Sequence, residues 1–119
     1  MIVADTSGVF AALDRSQRFH ETAREVVETG EVLILSPFVL AELDYLLATR
    51  VSVSASIELL RDVEDGAYEL APFTPADVGE ARGVVEQYHD LGIGLADASI
   101  VVLAGRHDTD RVLTLDERH

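Results

Sequence analysis

Four carboxylates occupy positions where a solvated surface acid is not expected. Asp5 and Asp116 each follow directly after a short apolar run, and Glu42 and Asp97 lie inside stretches whose apolar residues have helical spacing. Acids at strand ends and on the inner faces of helices can converge at the carboxyl edge of a parallel sheet. Converging carboxylates stay charged only if something positive lies between them. The pattern therefore predicts a divalent-metal site.

Glu42 has only apolar residues three and four positions away along a helix: Phe38, Val39, Tyr45 and Leu46. Such positions share one helix face, so the spacing predicts a carboxylate within a hydrophobic stripe. Asp97 has a comparable setting, with these apolar neighbours: Ile93, Ile100 and Val101. Burying an ionised carboxylate without a partner is costly, so an acid at such a position needs a cation, a hydrogen-bond network or a proton.

Each acid also has an ordinary structural interpretation. Asp5 can cap the N-terminus of the helix that follows it, and Asp116 can be a turn residue. Glu42 can take part in a structural salt bridge. The metal hypothesis therefore depends on the set of four rather than on any single residue.

The ion that these acids predict is Mg²⁺ or Mn²⁺. Carboxylate oxygens are the preferred ligands of such hard ions, whereas a zinc site would be expected to recruit histidine or cysteine. The chain has no cysteine, and its four histidines have neither i, i+4 spacing nor a shared segment. We therefore interpret the histidines as solvent-facing, and disulfides, thiolate zinc sites and cysteine nucleophiles are excluded.

Short apolar runs alternate with helical patterns along the chain. The sequence predicts strands over 2–4, 32–35, 68–70 and 112–115, and helices that start after Asp5 and cover about 18–28, 37–48, 54–63, 74–88 and 96–104. Serine or threonine followed by proline provides the start of two of these helices. The alternation predicts an α/β fold with a central parallel sheet covered on both faces. In such folds the site lies beyond the carboxyl ends of the strands, where the strand order reverses.

The chain length fits one domain. With 119 residues, 48% of them hydrophobic, the chain can build one core but not two. Because the last predicted strand ends close to His119, we expect a final helix or edge strand of the domain to be missing from this sequence. No apolar run approaches a membrane span and the N-terminus lacks the positive charge of a signal peptide, so we expect a cytoplasmic protein.

The charge balance opposes nucleic-acid binding through the overall field. Nine basic residues stand against 22 acidic ones, and the net charge is -13. A nucleic-acid-binding domain usually carries a basic patch instead. Metal at the carboxylates, a basic partner or a groove lined locally by arginine would offset the repulsion. All the basic residues are arginine, which grips phosphate better than lysine does.

Four segments together resemble the successive motifs of PIN-domain VapC toxins. They are IVADTS at 2–7, SPFVLAELDYL at 36–46, GLADASI at 94–100 and VLTLDERH at 112–119. Each motif is short, but the four occur in the family's order and at matching spacing along essentially the whole chain. The resemblance implies a PIN-like three-layer α/β/α fold.

The resemblance also assigns residues. Asp5, Glu42, Asp97 and Asp116 match the four acidic positions with which the family holds Mg²⁺ or Mn²⁺. Thr6 and Ser7 match the small hydroxyl residues beside the first acid. They would hydrogen-bond its carboxylate or a water at the site, with helix capping as the alternative.

The implied activity is that of a metal-dependent endoribonuclease. Family membership implies that it stops translation, forms a homodimer and is neutralised by a cognate VapB antitoxin that occupies the active-site groove. Residues 41–50 look most similar to a mycobacterial-type subgroup whose target is the sarcin–ricin loop of 23S rRNA. Arg15, Arg18 and Arg50 are candidates for RNA-backbone contacts, with exposed salt bridges as the alternative.

Several alternatives remain open at this point. A tRNA-cleaving VapC would share the same acids, and a PIN-like binding module without activity would share the fold. A haloacid-dehalogenase-like phosphatase needs a second aspartate two residues after the first, where this chain has Ser7. A phosphoacceptor receiver domain needs a lysine late in the chain, and the sequence contains no lysine.

Overall fold

The computed structural model describes residues 1–113, which form four β-strands and six α-helices. The strands are β1 (Ile2–Ala4), β2 (Leu33–Leu35), β3 (Glu69–Leu70) and β4 (Val112–Leu113). The helices are α1 (Thr6–Leu13), α2 (His20–Val27), α3 (Pro37–Arg50), α4 (Val53–Glu64), α5 (Pro75–Gln87) and α6 (Leu95–Arg106). Within this part of the chain no helix is long and apolar enough to cross a membrane.

The strands form one parallel sheet in the order β3-β2-β1-β4. Ile2 pairs with Leu33 on one side of β1, and Val3 pairs with Val112 on the other side. The chain moves outward from β1 through β2 to β3 and then returns across β1 to β4, so the order reverses at β1. The predicted α/β class with a central parallel sheet is confirmed, and the carboxyl end of β1 lies at the reversal point.

The core is built around the two central strands. β1 and β2 are buried along their whole length, which explains why both are continuous apolar runs rather than alternating ones. Helix α3 packs on this core through three fully buried residues, Val39, Leu43 and Leu47, and α6 adds Leu103. The sheet is thus the middle layer of a three-layer fold.

Local capping determines where α3 and α5 begin. The Ser36 hydroxyl accepts hydrogen bonds from the backbone N–H groups of Phe38 and Val39, as its place before Pro37 predicts. At α5 the Thr74 side chain and the Asp77 carboxylate cap each other's backbone N–H groups. The bond from the Thr74 backbone N–H, aided by Arg106, holds the pKa of Asp77 below its usual range.

Two local features differ from the sequence-based expectation. The strand predicted at 68–70 is present as β3, but it covers only Glu69 and Leu70, and both are exposed because β3 is the outer strand of the sheet beside β2. Only Tyr68, which precedes it, is buried. A single 3₁₀ turn at His89–Leu91, which ends at Gly92 with a φ of 69°, was not predicted.

Gly8 allows the first turn of α1 to lie directly against β4. A Cβ atom at this position would overlap the carbonyl oxygen, the carbonyl carbon and the side chain of Leu113. Most of the overlap is with backbone, so a rotamer change of one side chain cannot relieve it. The same carbonyl accepts a hydrogen bond from the Asp5 backbone N–H at 3.0 Å. A small residue at position 8 therefore keeps Asp5 and β4 in register.

We expect Gly8→Ala to destabilise the protein, since the new methyl group forces α1 away from β4. The expected loss is about 2–4 kcal/mol in the free energy of unfolding, measured by urea denaturation. The matched control is Gly83→Ala in α5, where an added Cβ meets nothing within 4 Å. This control should gain up to about 1 kcal/mol from helix propensity. Equal stability of the two variants would contradict the close approach.

Candidate active site and metal centre

Asp5 lies at the carboxyl end of β1 and caps α1. Its Oδ1 accepts a hydrogen bond from the Thr6 backbone N–H at 2.7 Å, and the Ser7 hydroxyl lies 3.4 Å from Oδ2. The residue is only 6% exposed. The capping interpretation is therefore correct for Asp5, and the cap fixes the carboxylate at the reversal point of the sheet instead of competing with a role there.

Thr6 carries a polar atom that its surroundings do not satisfy. The residue is 6% exposed, and within residues 1–113 its Oγ1 is the buried side-chain oxygen or nitrogen that has no hydrogen-bond partner. An unsatisfied buried hydroxyl costs about 1–3 kcal/mol, so such groups often mark a place for water or a ligand. Thr6 is next to Asp5, and its hydroxyl retains its hydrogen-bonding capacity at this position.

Asp97 lies in the first turn of α6, which begins after Gly94. Its side chain is half-buried, and the next three residues, Ala98, Ser99 and Ile100, are buried. Backbone N–H groups that have no partner within the helix give a helix N-terminus a partial positive charge. Asp97 therefore resembles Asp5 in its electrostatic setting, since both acids lie at the start of a helix.

Asp5 and Asp97 line one cavity of about 260 Å³. The rest of its wall is mostly apolar and includes Ile100, Ala104 and Val112. Low-polarity walls strengthen the field of the two carboxylates because little water screens them. The structure thus brings together two of the four acids that the sequence indicated.

The structure does not place Glu42 in that cavity. Its side chain is exposed, and Tyr45, one of its expected apolar neighbours, is 67% exposed. The expectation of a carboxylate within a buried stripe is therefore wrong for Glu42. The buried face of α3 is formed by Val39, Leu43 and Leu47, and Glu42 lies outside it.

Asp116, the fourth predicted acid, lies outside the described residues. β4 leads toward it and runs parallel to β1 as its direct neighbour. The part of the chain that can be described therefore contains three of the four matched acids.

Asp110 also lines the cavity and was not singled out in the sequence. It precedes β4, whereas Asp5 follows β1, and Ala4 pairs with Leu113. The two acids are therefore four residues apart along the strand direction, which is about 13 Å at 3.3 Å per residue. Asp110 therefore lies at the amino ends of the strands, whereas Asp5 lies at their carboxyl ends, and the two are too far apart to share an ion.

A buried pair of serines joins the helices that carry Glu42 and Asp97. The Oγ atoms of Ser36 and Ser99 are hydrogen bonded at 2.7 Å, and both residues have no exposed surface. Ser99 Oγ is also 2.6 Å from the Ala96 carbonyl oxygen, to which it donates. The sequence indicated Ser36 as a cap, but nothing in it indicated that Ser99 would be its partner.

The donor set fits a hard divalent ion that keeps most of its water. Across residues 1–113 no group of three or more acidic, histidine or cysteine side chains is close enough to hold an ion. Mg²⁺ is commonly bound by only one or two carboxylates together with water and substrate phosphate. Asp5 and Asp97 supply such a pair. The Thr6 hydroxyl, on the residue that follows Asp5, is buried and has no hydrogen-bond partner within residues 1–113.

Comparison with known proteins agrees with this geometry. The family model of the PIN domain matches residues 2–119. Ribonuclease VapC26 of Mycobacterium tuberculosis is 44% identical over 119 residues, which cover 99% of this chain and 88% of that protein.

Two crystal structures share the fold. Mycobacterium tuberculosis VapC20, described as a sarcin–ricin loop cleaving toxin, has a TM-score of 0.90 at 19% identity and covers 98% of this chain and 91% of its own. FitAcB from Neisseria gonorrhoeae has a TM-score of 0.59 at 20% identity, over 92% of this chain and 84% of its own. The resemblance found in the sequence motifs is thus confirmed, and the chain belongs to the PIN-domain family, among the VapC-type ribonucleases.

Proposed function

We propose that this protein is a Mg²⁺- or Mn²⁺-dependent endoribonuclease toxin that hydrolyses phosphodiester bonds in RNA. The observation that carries the proposal is the placement of Asp5 and Asp97, each at the start of a helix, in the wall of one cavity. The VapC26 relative is named a ribonuclease, which supports the same reaction class.

Asp5 and Asp97 would hold the ion directly. Glu42 and Asp116 would act as outer ligands, orient water or hold a second ion. When bound, the ion supplies the positive charge that activates water and offsets the charge that develops on the phosphate oxygens.

The protein's own groups prepare the site before substrate arrives. The Thr6 backbone N–H holds one oxygen of Asp5, which fixes the direction of the carboxylate. The Thr6 hydroxyl would hydrogen-bond a water or a phosphate oxygen beside it, and that bond would satisfy its buried oxygen. The Ser36–Ser99 hydrogen bond holds the start of α6, and with it Asp97, against the start of α3.

The biological role we propose is inhibition of translation in the cytoplasm. VapC20, which shares the fold, is described as a toxin. A cell that makes a nuclease toxin must inhibit it to protect its own RNA. A VapB-type antitoxin that occupies the active-site groove would provide this control, and the active form would be a homodimer.

The proposed target is the sarcin–ricin loop of 23S rRNA. The support is the description of VapC20 as a toxin that cleaves this loop, together with the similarity of residues 41–50 to that subgroup. Cleavage of tRNA is the alternative, and mapping of the cleavage ends on 23S rRNA and tRNA distinguishes the two targets.

Removal of either central carboxylate should abolish cleavage. We expect Asp5→Asn and Asp97→Asn to lower the rate of RNA cleavage by about 100-fold or more, since each removes charge that the ion needs. EDTA should have the same effect, and added Mg²⁺ or Mn²⁺ should restore activity only in the unmodified protein. Asparagine caps helices as well as aspartate does, so thermal unfolding of Asp5→Asn should change little.

Asp110→Asn is the matched control for this experiment. It removes one carboxylate from the same cavity but at the opposite edge of the sheet, and its activity should stay within about twofold of the unmodified protein. Cleavage that survives Asp5→Asn, Asp97→Asn and EDTA would show a contaminating or metal-independent nuclease. Intact RNA with folded, metal-loaded protein would favour a binding module without activity.

Because Glu42 is exposed, its substitution can test a role in activity without changing stability. We expect Glu42→Gln to leave the melting temperature unchanged, because a solvated surface acid contributes little to folding. Cleavage should nevertheless fall by about tenfold if the carboxylate orients water or an outer ion. Glu58→Gln on α4, also exposed, is the control and should retain full activity. Equal activity of the two variants would show that Glu42 has no role in cleavage.

The target can be read directly from cleavage ends. We expect incubation of bacterial ribosomes with the protein and Mg²⁺ to give one cut in the sarcin–ricin loop, mapped by primer extension on 23S rRNA. Bulk bacterial tRNA incubated with the protein under the same conditions should stay intact. Cuts confined to tRNA, with the loop uncleaved, would overturn this target while leaving the ribonuclease activity in place.

A further inference from the structure

The junction between α1 and α2 concentrates positive charge in an acidic protein. Three of the nine arginines, Arg15, Arg18 and Arg24, lie within ten residues that contain one acid, Glu21, and Asp14 and Glu25 flank this segment. The chain as a whole carries a net charge of -13. We call residues 15–24 the arginine junction.

Two arginines of the junction have no acidic partner among residues 1–113. Arg24 pairs with Glu28 at 2.7 Å, but Arg15 and Arg18 form no ion pair within residues 1–113. Among the other described arginines, Arg82, Arg106 and Arg111 pair with a carboxylate. Arg50 at the end of α3 and Arg61 on α4 have no ion pair within residues 1–113 either, but neither lies beside another unpaired arginine in the sequence. The expected alternative of exposed salt bridges is therefore not realised for Arg15 and Arg18, and their guanidinium donors remain available to a ligand.

Phe19 adds an aromatic surface to the junction. Its side chain is 46% exposed, and the Arg18 guanidinium carbon lies 5.2 Å from the ring centroid. A concavity of about 580 Å³ is lined by both residues together with Arg15 and His20. Exposed aromatic rings next to arginine are the combination with which proteins bind single-stranded nucleic acid, through stacking of bases and contact with phosphates.

Internal hydrogen bonds hold the junction in one shape. The Asp14 carboxylate accepts bonds from the Ser16 backbone N–H at 3.1 Å, the Ser16 hydroxyl at 2.9 Å and the Gln17 amide at 3.3 Å. The bond from the Ser16 backbone N–H, followed by these side-chain bonds, holds the pKa of Asp14 below its usual range. His20 Nδ1 is 2.8 Å from the Ala11 carbonyl oxygen, which ties the start of α2 to α1. A preformed surface loses less entropy when it binds a ligand.

The junction lies at the other end of α1 from the candidate active site. Asp5 caps the N-terminus of this helix, and its eight residues span about 12 Å before Asp14. To reach the junction, an RNA strand cut at Asp5 and Asp97 would have to extend about this far over the surface, with nucleotides outside the cleaved bond.

We propose that the arginine junction is a second RNA-contact site, in which Arg15 and Arg18 bind backbone phosphates and Phe19 stacks against an unpaired base. The inference rests on the proposed ribonuclease function for the identity of the ligand. The site binds the substrate away from the cleaved bond, so it contributes to affinity and leaves the chemical step unchanged.

The test is direct binding of RNA, measured apart from cleavage. Fluorescence anisotropy with a labelled sarcin–ricin loop hairpin, in EDTA to prevent turnover, gives Kd at several salt concentrations. We expect Arg15→Gln/Arg18→Gln to weaken binding about tenfold and to reduce the slope of log Kd against log salt by about two. Phe19→Ala should weaken binding without changing that slope, and Phe19→Trp should retain affinity.

The matched control is Arg61→Gln/Arg82→Gln, which removes the same charge from exposed positions on α4 and α5. It should bind within about twofold of the unmodified protein. Equal weakening by both double variants would show a net-charge effect and would overturn the proposal. Unchanged Kd in the junction variant, or no RNA binding by the unmodified protein, would overturn it as well.

A parallel cleavage assay with Mg²⁺ separates this inference from the proposed function. In the junction variant KM should rise with kcat unchanged. Failure of the unmodified protein to cleave RNA that it nevertheless binds through the junction would refute the ribonuclease proposal alone. Normal cleavage with unchanged KM in the variant would refute the junction alone.

Discussion

The contact between the first turn of α1 and the Leu113 carbonyl is the constraint on which the candidate site depends. This one oxygen accepts the Asp5 backbone N–H, and it also occupies the space that a side chain at position 8 would need. Gly8 is therefore required because a side chain would overlap Leu113, and not because the backbone needs a conformation that only glycine adopts. The contact determines how close the cap of α1 lies to β4, and so fixes where Asp5 stands relative to the edge at which both strands end.

Electrostatics explains why the proposed site would need a cation even though the fold already favours the two acids. A helix N-terminus stabilises a nearby carboxylate by about 0.3–1 kcal/mol. Two carboxylates close enough to bind one ion repel each other more strongly than this, by about 4 kcal/mol at a separation of about 4 Å and an effective dielectric constant of about 20. The starts of α1 and α6 therefore reduce the repulsion between Asp5 and Asp97 without removing it. A divalent ion between the two carboxylates would offset the repulsion that remains. The mostly apolar wall around Ile100 and Ala104 would strengthen the attraction between the ion and the carboxylates.

Features with a local signature were predictable from the sequence, and those that depend on distant contacts were not. Buried strands such as β1 are continuous apolar runs, and the cap at Ser36 is marked by the proline that follows it. Glu42 was misjudged because α3 is apolar on nearly every side. Helical spacing could not tell its buried face, with Val39 and Leu43, from its exposed one, with Tyr45. The bond from Ser36 to Ser99 spans 63 residues and has no local signature.

The distance over which charges act resolves the conflict between an acidic chain and an RNA substrate. At physiological ionic strength charges are screened beyond about 8 Å, so a phosphate responds mainly to groups close to it and not to the net charge of -13. The overall field lowers the encounter rate, because it repels RNA at long range. In the proposed arginine junction, affinity would be decided locally by Arg15 and Arg18, which form no ion pair within residues 1–113. An acidic surface around the proposed arginine junction would therefore disfavour RNA bound in other orientations.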